Sequence, residues 1–341
     1  MTLMGQAIKA AEHFDLPDLL TLAGIGLLVR RTDEGLTQLP AYAEAHFAEG
    51  MKDYPIATHT VEANAQHYEL PAKFFALALG PRRKYSSCLY PQGDETLEQA
   101  EIAALEATVE HADIKNGQAV LELGCGWGSL TLYMAENFPK SRIVAVSNSN
   151  SQRAYIEAQA CARGLTNVEV ITANVVDFKP ERKFDRIVSV EMFEHMSNWH
   201  ALLMRTCDWL LPRGQLFIHV FTHKERSYRF NVNDKHDWIA QHFFSGGVMP
   251  SHELIRQFSD IYQVEAEWRW SGSHYEKTAL HWLENYDRNK AEIMQILTQV
   301  YGAQAPVWFR RWRLFFLATA GLFGHEGGKV WGVSHYRLRP A

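Results

Sequence analysis

Two carboxylates and an imidazole stand close together in the segment SVEMFEHM, residues 189–196. The segment follows an apolar run and carries Glu191, Glu194 and His195. If the chain turns helical at Glu191, these side chains are three and four residues apart and share one face. One interpretation is structural: the three side chains form a buried polar network that caps a helix. The other is catalytic: His195 is the base that removes a proton from a bound amine, and the two carboxylates attract the cation.

A glycine-rich loop lies upstream of this cluster and has the form of a cofactor loop. Gly124, Gly126 and Gly128 follow the apolar run Ala119–Leu123 and open a helical pattern. These positions permit, in turn, a tight turn, close approach of a ligand to the backbone, and close helix packing. A dinucleotide fingerprint needs its third glycine at position 129. The observed spacing, with Glu122 before it, instead predicts S-adenosylmethionine as the cofactor.

Polar residues follow the next two apolar runs of the chain. Ser147, Asn148 and Ser149 can hydrogen-bond the hydroxyl groups of a ribose. Because these side chains carry no charge, they count against NAD, whose ribose usually meets a carboxylate. Asn174 and Val175 follow the third run, where we expect an adenine ring.

The elements that must position these residues alternate between short apolar runs and helical patterns. The rhythm predicts an α/β fold with a doubly wound, mostly parallel seven-stranded sheet. Taken with the S-adenosylmethionine-type glycine loop, this sheet is expected to be of the class I methyltransferase, Rossmann-like type. We predict strands at 119–123, 143–146, 168–171, 186–190, 216–220, 264–270 and 330–338. Helices are expected at 96–112, 129–138, 150–163 and 198–210, and helical character at 226–260 and 276–323. Pro17 and Gly24 should divide residues 1–80 into several short helices.

This pattern suggests three regions. Residues 1–100 form a helical region and cofactor lid, and residues 101–225 form the S-adenosylmethionine-binding core. Residues 226–341 form a helical cap over the substrate, together with the last two strands of the sheet.

Composition excludes several classes of function. The 341 residues carry a formal net charge of −5, so nothing indicates nucleic-acid binding. No apolar stretch is long enough for stable insertion into a membrane. The four cysteines are far apart, which argues against a metal site and fits a cytoplasmic protein. The oligomeric state stays open, with a homodimer among the alternatives.

From about residue 60 onward, the sequence resembles the coclaurine N-methyltransferase-like branch of the cyclopropane fatty acid synthase superfamily. The motifs that carry the resemblance are HYELP (67–71), KYSSC (84–88), LGCGWGS (123–129), EMFEHM (191–196), FSGGVMP (244–250) and HY (274–275). The resemblance implies a small, aromatic, tetrahydroisoquinoline-like amine as the acceptor. It also implies that Tyr85 and Ser86 contact the methionine end of the cofactor beside Gly124, and that Gln152 lies near the ribose. Glu194 and His195 would serve the amine.

The same resemblance keeps a lipid alternative open, namely a cyclopropane- or methyl-branched-fatty-acyl-phospholipid synthase. Such relatives use a bound bicarbonate as base, held by a cysteine and by residues that match Glu194, His219 and Tyr275. This chain has Ser87 at the cysteine position, and Glu191 where those relatives have a small or apolar residue; both differences favour an amine.

Spacing alone leaves His219 and Tyr275 undecided between the core and the acceptor site, to which we assign both together with Phe244. Aromatic residues after the core could stack on a flat cation or pack against an acyl chain. They are Trp268, Trp270, Trp282, Phe243 and Phe244.

Overall fold

The structure, a computed structural model, describes residues 9–58, 70–233 and 237–341. Its strands are β1 (Ala119–Leu123), β2 (Arg142–Ser147), β3 (Val168–Thr172), β4 (Phe184–Val190), β5 (Leu210–His223), β6 (Tyr228–Arg229), β7 (Val248–Met249), β8 (Tyr262–Ser271) and β9 (Trp331–Pro340). Within the described part, seven strands form one sheet in the order β3-β2-β1-β4-β5-β9-β8. The first five strands of this order, β3, β2, β1, β4 and β5, pair in parallel. Strand β9 runs antiparallel to both of its neighbours, β5 and β8. The predicted α/β fold is confirmed.

Helices cover both faces of the sheet. They are α1 (Asp18–Thr37), α2 (Ala43–Gly50), α3 (Ala72–Ala78), α4 (Leu97–His111), α5 (Ser129–Asn137), α6 (Asn150–Ala162), α7 (Trp199–Asp208), α8 (Trp238–His242), α9 (Gly272–Arg288), α10 (Lys290–Tyr301) and α11 (Ala305–Phe323). The start of α4 follows from its sequence, because Thr96 and Gln99 form a capping box. The Thr96 hydroxyl accepts a hydrogen bond from the Gln99 N–H, and the Gln99 side-chain oxygen accepts one from the Thr96 N–H. None of the described helices is both long and apolar enough to cross a membrane.

Two sequence expectations differ from the structure. Helix α1 runs through Gly24 without a break, because one helical glycine costs only about 1 kcal/mol and the helix packs on α11, where Ile25 lies against Gly321. Among the described residues of segment 226–260, only α8 and a 3₁₀ turn, Leu254–Phe258, are helical. A two-stranded ribbon of β6 and β7 occupies part of the rest, and the left-handed backbone of Gly246 turns the chain just before β7.

The parallel strands end at one edge of the sheet, and the loops that follow them meet there. The loop after β1 is fastened to β2, since the backbone N–H groups of Gly124 and Cys125 both donate to the carbonyl of Val146. Helices α9 and α11 pack together and reach the same edge from the cap. The cofactor-type loop, the acidic cluster and the cap helices are therefore brought together.

We expect two glycine-to-alanine changes to act in opposite directions. A Cβ at Gly272, where β8 joins α9, would lie 2.2 Å from the carbonyl oxygens of Phe323 and Trp331. Because backbone must move, Gly272→Ala should destabilise the fold by about 3 kcal/mol or more. Gly24→Ala meets no atom within 4 Å and should stabilise by about 0.5–1 kcal/mol. Urea unfolding of both variants checks this; equal effects would contradict it.

Candidate functional site

Two cavities meet at this edge of the sheet. The first lies among the loops after β1, β2 and β3; its walls include Gly124, Gly126, Ser147, Asn148, Gln152, Asn174 and Val175. The second is mainly aromatic; its walls include Tyr85, Phe221, Phe230, Phe244, Glu194, Tyr275, Phe315 and Phe323. Glu191 and His195 line both cavities. These two side chains therefore stand where a ligand in one cavity would meet a ligand in the other.

The glycine loop leaves its backbone open toward the first cavity. Gly126 has φ +52°, and a Cβ there would meet nothing within 4 Å, so a ligand can approach the chain closely. Gly128 differs, because its φ is +78° and a Cβ would lie 2.5 Å from Ile156 of α6. One glycine thus provides ligand space and the other allows α6 to pack.

Gln152 offers an unused donor to the first cavity. Its side-chain oxygen accepts a 2.6 Å hydrogen bond from the Ser147 hydroxyl, which fixes the orientation of the amide. The Gln152 Nε2 atom is buried and is among the described atoms without a hydrogen-bond partner. A buried, unpaired N–H₂ group beside polar Asn148 fits the hydroxyl groups of a ribose.

Three residues assigned to the cofactor from sequence occupy different places. The Glu122 carboxyl lies beneath the loop and accepts a 2.5 Å hydrogen bond from the Thr131 hydroxyl; it does not line either cavity, and burial raises its pKa to about 8. Tyr85 lines the aromatic cavity. Ser86 is buried and accepts a 2.5 Å hydrogen bond from Lys84 Nζ.

Glu191 is the best-anchored carboxylate of the site. Its Oε1 accepts from the Ser87 N–H at 2.9 Å and lies 3.2 Å from His219 Nε2. Its Oε2 accepts a 2.6 Å bond from the Tyr275 hydroxyl. The residue has φ +47°, an unusual conformation for a side chain of this size. His219 is fully buried behind Glu191 and does not line the aromatic cavity, whereas Tyr275 does.

Glu194 is also buried, but within the described part of the chain it lacks the set of hydrogen-bond donors that surrounds Glu191. Its Oε2 has no hydrogen-bond partner among the described residues. Burial, and then the charge of Glu191, raise its pKa well above the usual value. Burial also raises the pKa of Glu191, while the positive charge of Lys84 opposes that shift. The sequence alone did not identify Lys84 as a residue of the site. Its role as a buried cation near Glu191 becomes visible only in the fold, where its Nζ donates to the Ser86 hydroxyl and the Ser87 carbonyl.

The acidic segment is not the regular helix expected from its spacing. Only Phe193–His195 forms a 3₁₀ turn, and Glu191 precedes it in the left-handed region. The three chemical side chains nevertheless converge on the aromatic cavity. The imidazole of His195 stacks on Phe244, with ring centroids 4.8 Å apart and an 8° angle between the planes.

Most of the aromatic residues expected around the acceptor lie elsewhere. Trp268, Trp270, Trp282 and Phe243 do not line the cavity, and Phe244 does. Phe243 packs in the core against Phe315, and Trp268 stacks on His111. Within the HYELP motif, residues 67–69 lie outside the described residues.

The sequence is similar to those of known proteins. A sequence model of the family described as mycolic acid cyclopropane synthetase matches residues 57–332. The chain is 37% identical to (S)-coclaurine N-methyltransferase of Thalictrum flavum subsp. glaucum, over 84% of this chain and 80% of that protein. It is 35% identical to the enzyme of the same name from Papaver somniferum, over 85% and 83% of the two chains.

A solved structure resembles almost the whole molecule. The crystal structure of coclaurine N-methyltransferase bound to N-methylheliamine and SAH superposes with a TM-score of 0.92 at 32% identity, and the match covers 99% of this chain and 100% of that one. The open glycine loop and the unpaired Gln152 donor fit the cofactor of such enzymes. The chain belongs to the mycolic acid cyclopropane synthetase family, resembles its coclaurine N-methyltransferases, and is an S-adenosylmethionine-dependent methyltransferase.

Proposed function

We propose that this enzyme N-methylates a small aromatic, tetrahydroisoquinoline-like amine. The observation that carries the proposal is the position of Glu191 and His195 on the shared wall of a cofactor-type cleft and an aromatic cavity. The named activity of the coclaurine N-methyltransferases agrees with it.

The first cavity suits S-adenosylmethionine, which supplies a methyl group on a positively charged sulfur. Asn148 and Gln152, which line this cavity, would hydrogen-bond the ribose, and Asn174 and Val175 would contact the adenine. Tyr85 faces the aromatic cavity and could cover the methionine end of the cleft. Ser86 helps through its bond to Lys84, which holds the loop before α4 in place.

The second cavity suits a flat cation. Its phenylalanine and tyrosine walls would hold an aromatic ring, and the carboxylates of Glu191 and Glu194 would attract the amine nitrogen. Two carboxylates so deeply buried repel one another. A bound ammonium group would relieve that repulsion, which gives the site a physical reason to prefer amines.

His195 is the base in this proposal. The stacked Phe244 ring fixes the plane of the imidazole, and the side chain borders both cavities. It can take a proton from the amine and leave a lone pair for the methyl group. The unpaired Oε2 of Glu194 can accept a second N–H of the amine and hold the nitrogen in line.

The lipid alternative has one observation in its favour, an apolar cavity that could pack an acyl chain. A bicarbonate would need the Tyr275 hydroxyl and the His219 imidazole as donors. In this chain both groups, and the Ser87 N–H, already face the carboxylate of Glu191. The Glu191 carboxylate thus takes up the donors that a bicarbonate would need, which favours the amine.

A comparison of acceptors tests the proposed function directly. The purified protein is incubated with S-adenosylmethionine and either a panel of secondary aromatic amines or unsaturated phospholipid vesicles, and S-adenosylhomocysteine release is measured. We expect release with an amine and a product heavier by one methyl group. Release with vesicles alone would overturn the amine assignment.

The open space beside Gly126 predicts weaker cofactor binding when it is filled. Gly126→Ala should raise the Kd for S-adenosylhomocysteine roughly tenfold or more, about 1.4 kcal/mol, because the added methyl occupies ligand space. Gly302→Ala is the matched control, since Gly302 has a similar φ of +54° and equally open surroundings outside both cavities. Calorimetry that finds the two variants equal would refute this assignment of the cleft.

Loss of the imidazole should separate catalysis from binding. His195→Ala should lower kcat by about 10² or more, the usual contribution of a general base, while S-adenosylhomocysteine still binds. His200→Ala, a partly exposed histidine on α7, should retain full turnover. Unchanged turnover in His195→Ala would exclude the proposed base.

The two carboxylates predict a specific change in pH dependence. A raised carboxyl pKa means that the charged form is lost as pH falls through a value above the usual 4.5, so kcat/KM should fall on that acid limb. Glu191→Gln removes the charge that raises the pKa of Glu194. Its acid limb should therefore shift to lower pH, with a lower plateau. An unmoved limb in the pH–rate profile would contradict the coupling.

A further inference from the structure

Three imidazoles form a continuous hydrogen-bonded line behind Glu191. His219 Nε2 lies 3.2 Å from Glu191 Oε1, and its Nδ1 lies 2.8 Å from His335 Nε2. The line continues from His335 Nδ1 to His111 Nδ1, again at 2.8 Å. Both nitrogens of His219 and of His335 are therefore used, and Nε2 of His111 is the outer end.

The fold sets this spacing across three elements. His219 of β5 and His335 of β9 are partners in the antiparallel register, and Trp268 of β8 pairs with His335. His111 is the last residue of α4, and its ring lies flat on Trp268 with a centroid distance of 3.8 Å and an angle of 6°. A stacked tryptophan thus orients the outermost ring toward the cross-strand pair.

Burial changes along the line from inside to outside. His219 and His335 are fully buried, whereas His111 is partly open to solvent. Burial lowers the pKa of all three imidazoles, so the neutral forms are favoured. The charged residues that act on the line are Lys84 near its inner end and Glu110 and Arg337 near His111.

A neutral imidazole has one donor and one acceptor nitrogen. When Glu191 is ionised, each ring can donate inward, so that His219 and His335 carry Nε2–H and His111 carries Nδ1–H. When Glu191 is protonated, every ring can donate outward instead. The two arrangements differ by one proton and both satisfy every bond of the line.

We propose that His219, His335 and His111 form a proton relay that connects the Glu191 carboxyl with solvent on the side away from the acceptor cavity. The proposal rests on the proposed function, because methylation of an ammonium acceptor releases one proton, which His195 takes from the amine and which must then leave the site. Glu191 lines the same two cavities as His195 and would receive that proton from it. The aromatic walls of the acceptor cavity offer that proton few polar partners.

The release step balances along the line. The Glu191 proton passes to His219 Nε2 while the His219 Nδ1 proton passes to His335 Nε2. The His335 Nδ1 proton passes to His111 Nδ1, and the His111 Nε2 proton passes to a buffer base. Four bonds to hydrogen break and four form, and Glu191 is left as a carboxylate.

Packing alone does not account for the imidazoles. The line runs among aromatic side chains, with Phe217 5.2 Å and Trp270 4.3 Å from the His335 ring centroid. An apolar residue at position 335 would fill the same space without burying polar nitrogens. Because burying these polar nitrogens costs free energy, we infer that the imidazoles serve a function other than packing.

Buffer rescue tests the relay at its accessible end. In dilute buffer, His111→Ala should lower kcat about tenfold, and added imidazole should restore most of it, because a small base can take the proton from His335. The wild type and the control His200→Ala should respond little to imidazole. Full activity of His111→Ala in dilute buffer, or a loss that imidazole leaves unchanged, would overturn the relay.

Nitrogen-15 NMR of labelled histidines tests the same claim in the wild type without any acceptor. The relay predicts that all three rings exchange tautomer together, at the pH at which Glu191 titrates. Independent midpoints, or fixed tautomers, would overturn it. This measurement needs no turnover, so it separates the two proposals. If the protein methylates no amine but its three histidines exchange tautomers together, the relay stands and the proposed function fails.

Discussion

A single buried carboxylate, that of Glu191, ties together the parts of the chain that build the site. Its three donors come from the loop before α4 (Ser87), from β5 (His219) and from α9 (Tyr275). Burying an ionised carboxylate costs several kcal/mol unless hydrogen bonds compensate. These donors supply that compensation, and in doing so they fix the loop before α4, the sheet and α9 around one point.

In the proposed function, the second carboxylate gives the site its preference for a cationic acceptor. Glu194 lies beside Glu191 with an unpaired oxygen, and the charge of its neighbour raises its pKa. Lys84 balances one negative charge from below, where its amine is held by Ser86 and the Ser87 carbonyl. A cationic acceptor in the aromatic cavity would balance the second negative charge. The released proton would then pass from Glu191 to His219 and on through the proposed relay.

Sequence predicted the features that depend on neighbouring residues. The strands and the glycine loop follow from local periodicity and spacing. The residues of the cluster around Glu194 are close in sequence, and they converge although the helix expected there is absent. The sequence could not identify contacts that only the folded chain creates, such as that between His111 and His335, which are 224 residues apart. The walls of the aromatic cavity were missed for the same reason: Phe221 of β5 faces the cavity, whereas Trp268 of β8 stacks on a helix end.

We propose that the Glu191 carboxylate occupies the donors that a lipid-modifying enzyme would need for a bound bicarbonate. Amine methylation measured in bicarbonate-free buffer, and again with added bicarbonate, tests it most directly in wild type and in Glu191→Gly. We predict that the wild type is indifferent to bicarbonate, and that Glu191→Gly loses activity and regains part of it when bicarbonate is added. A wild-type enzyme that requires bicarbonate would contradict the account.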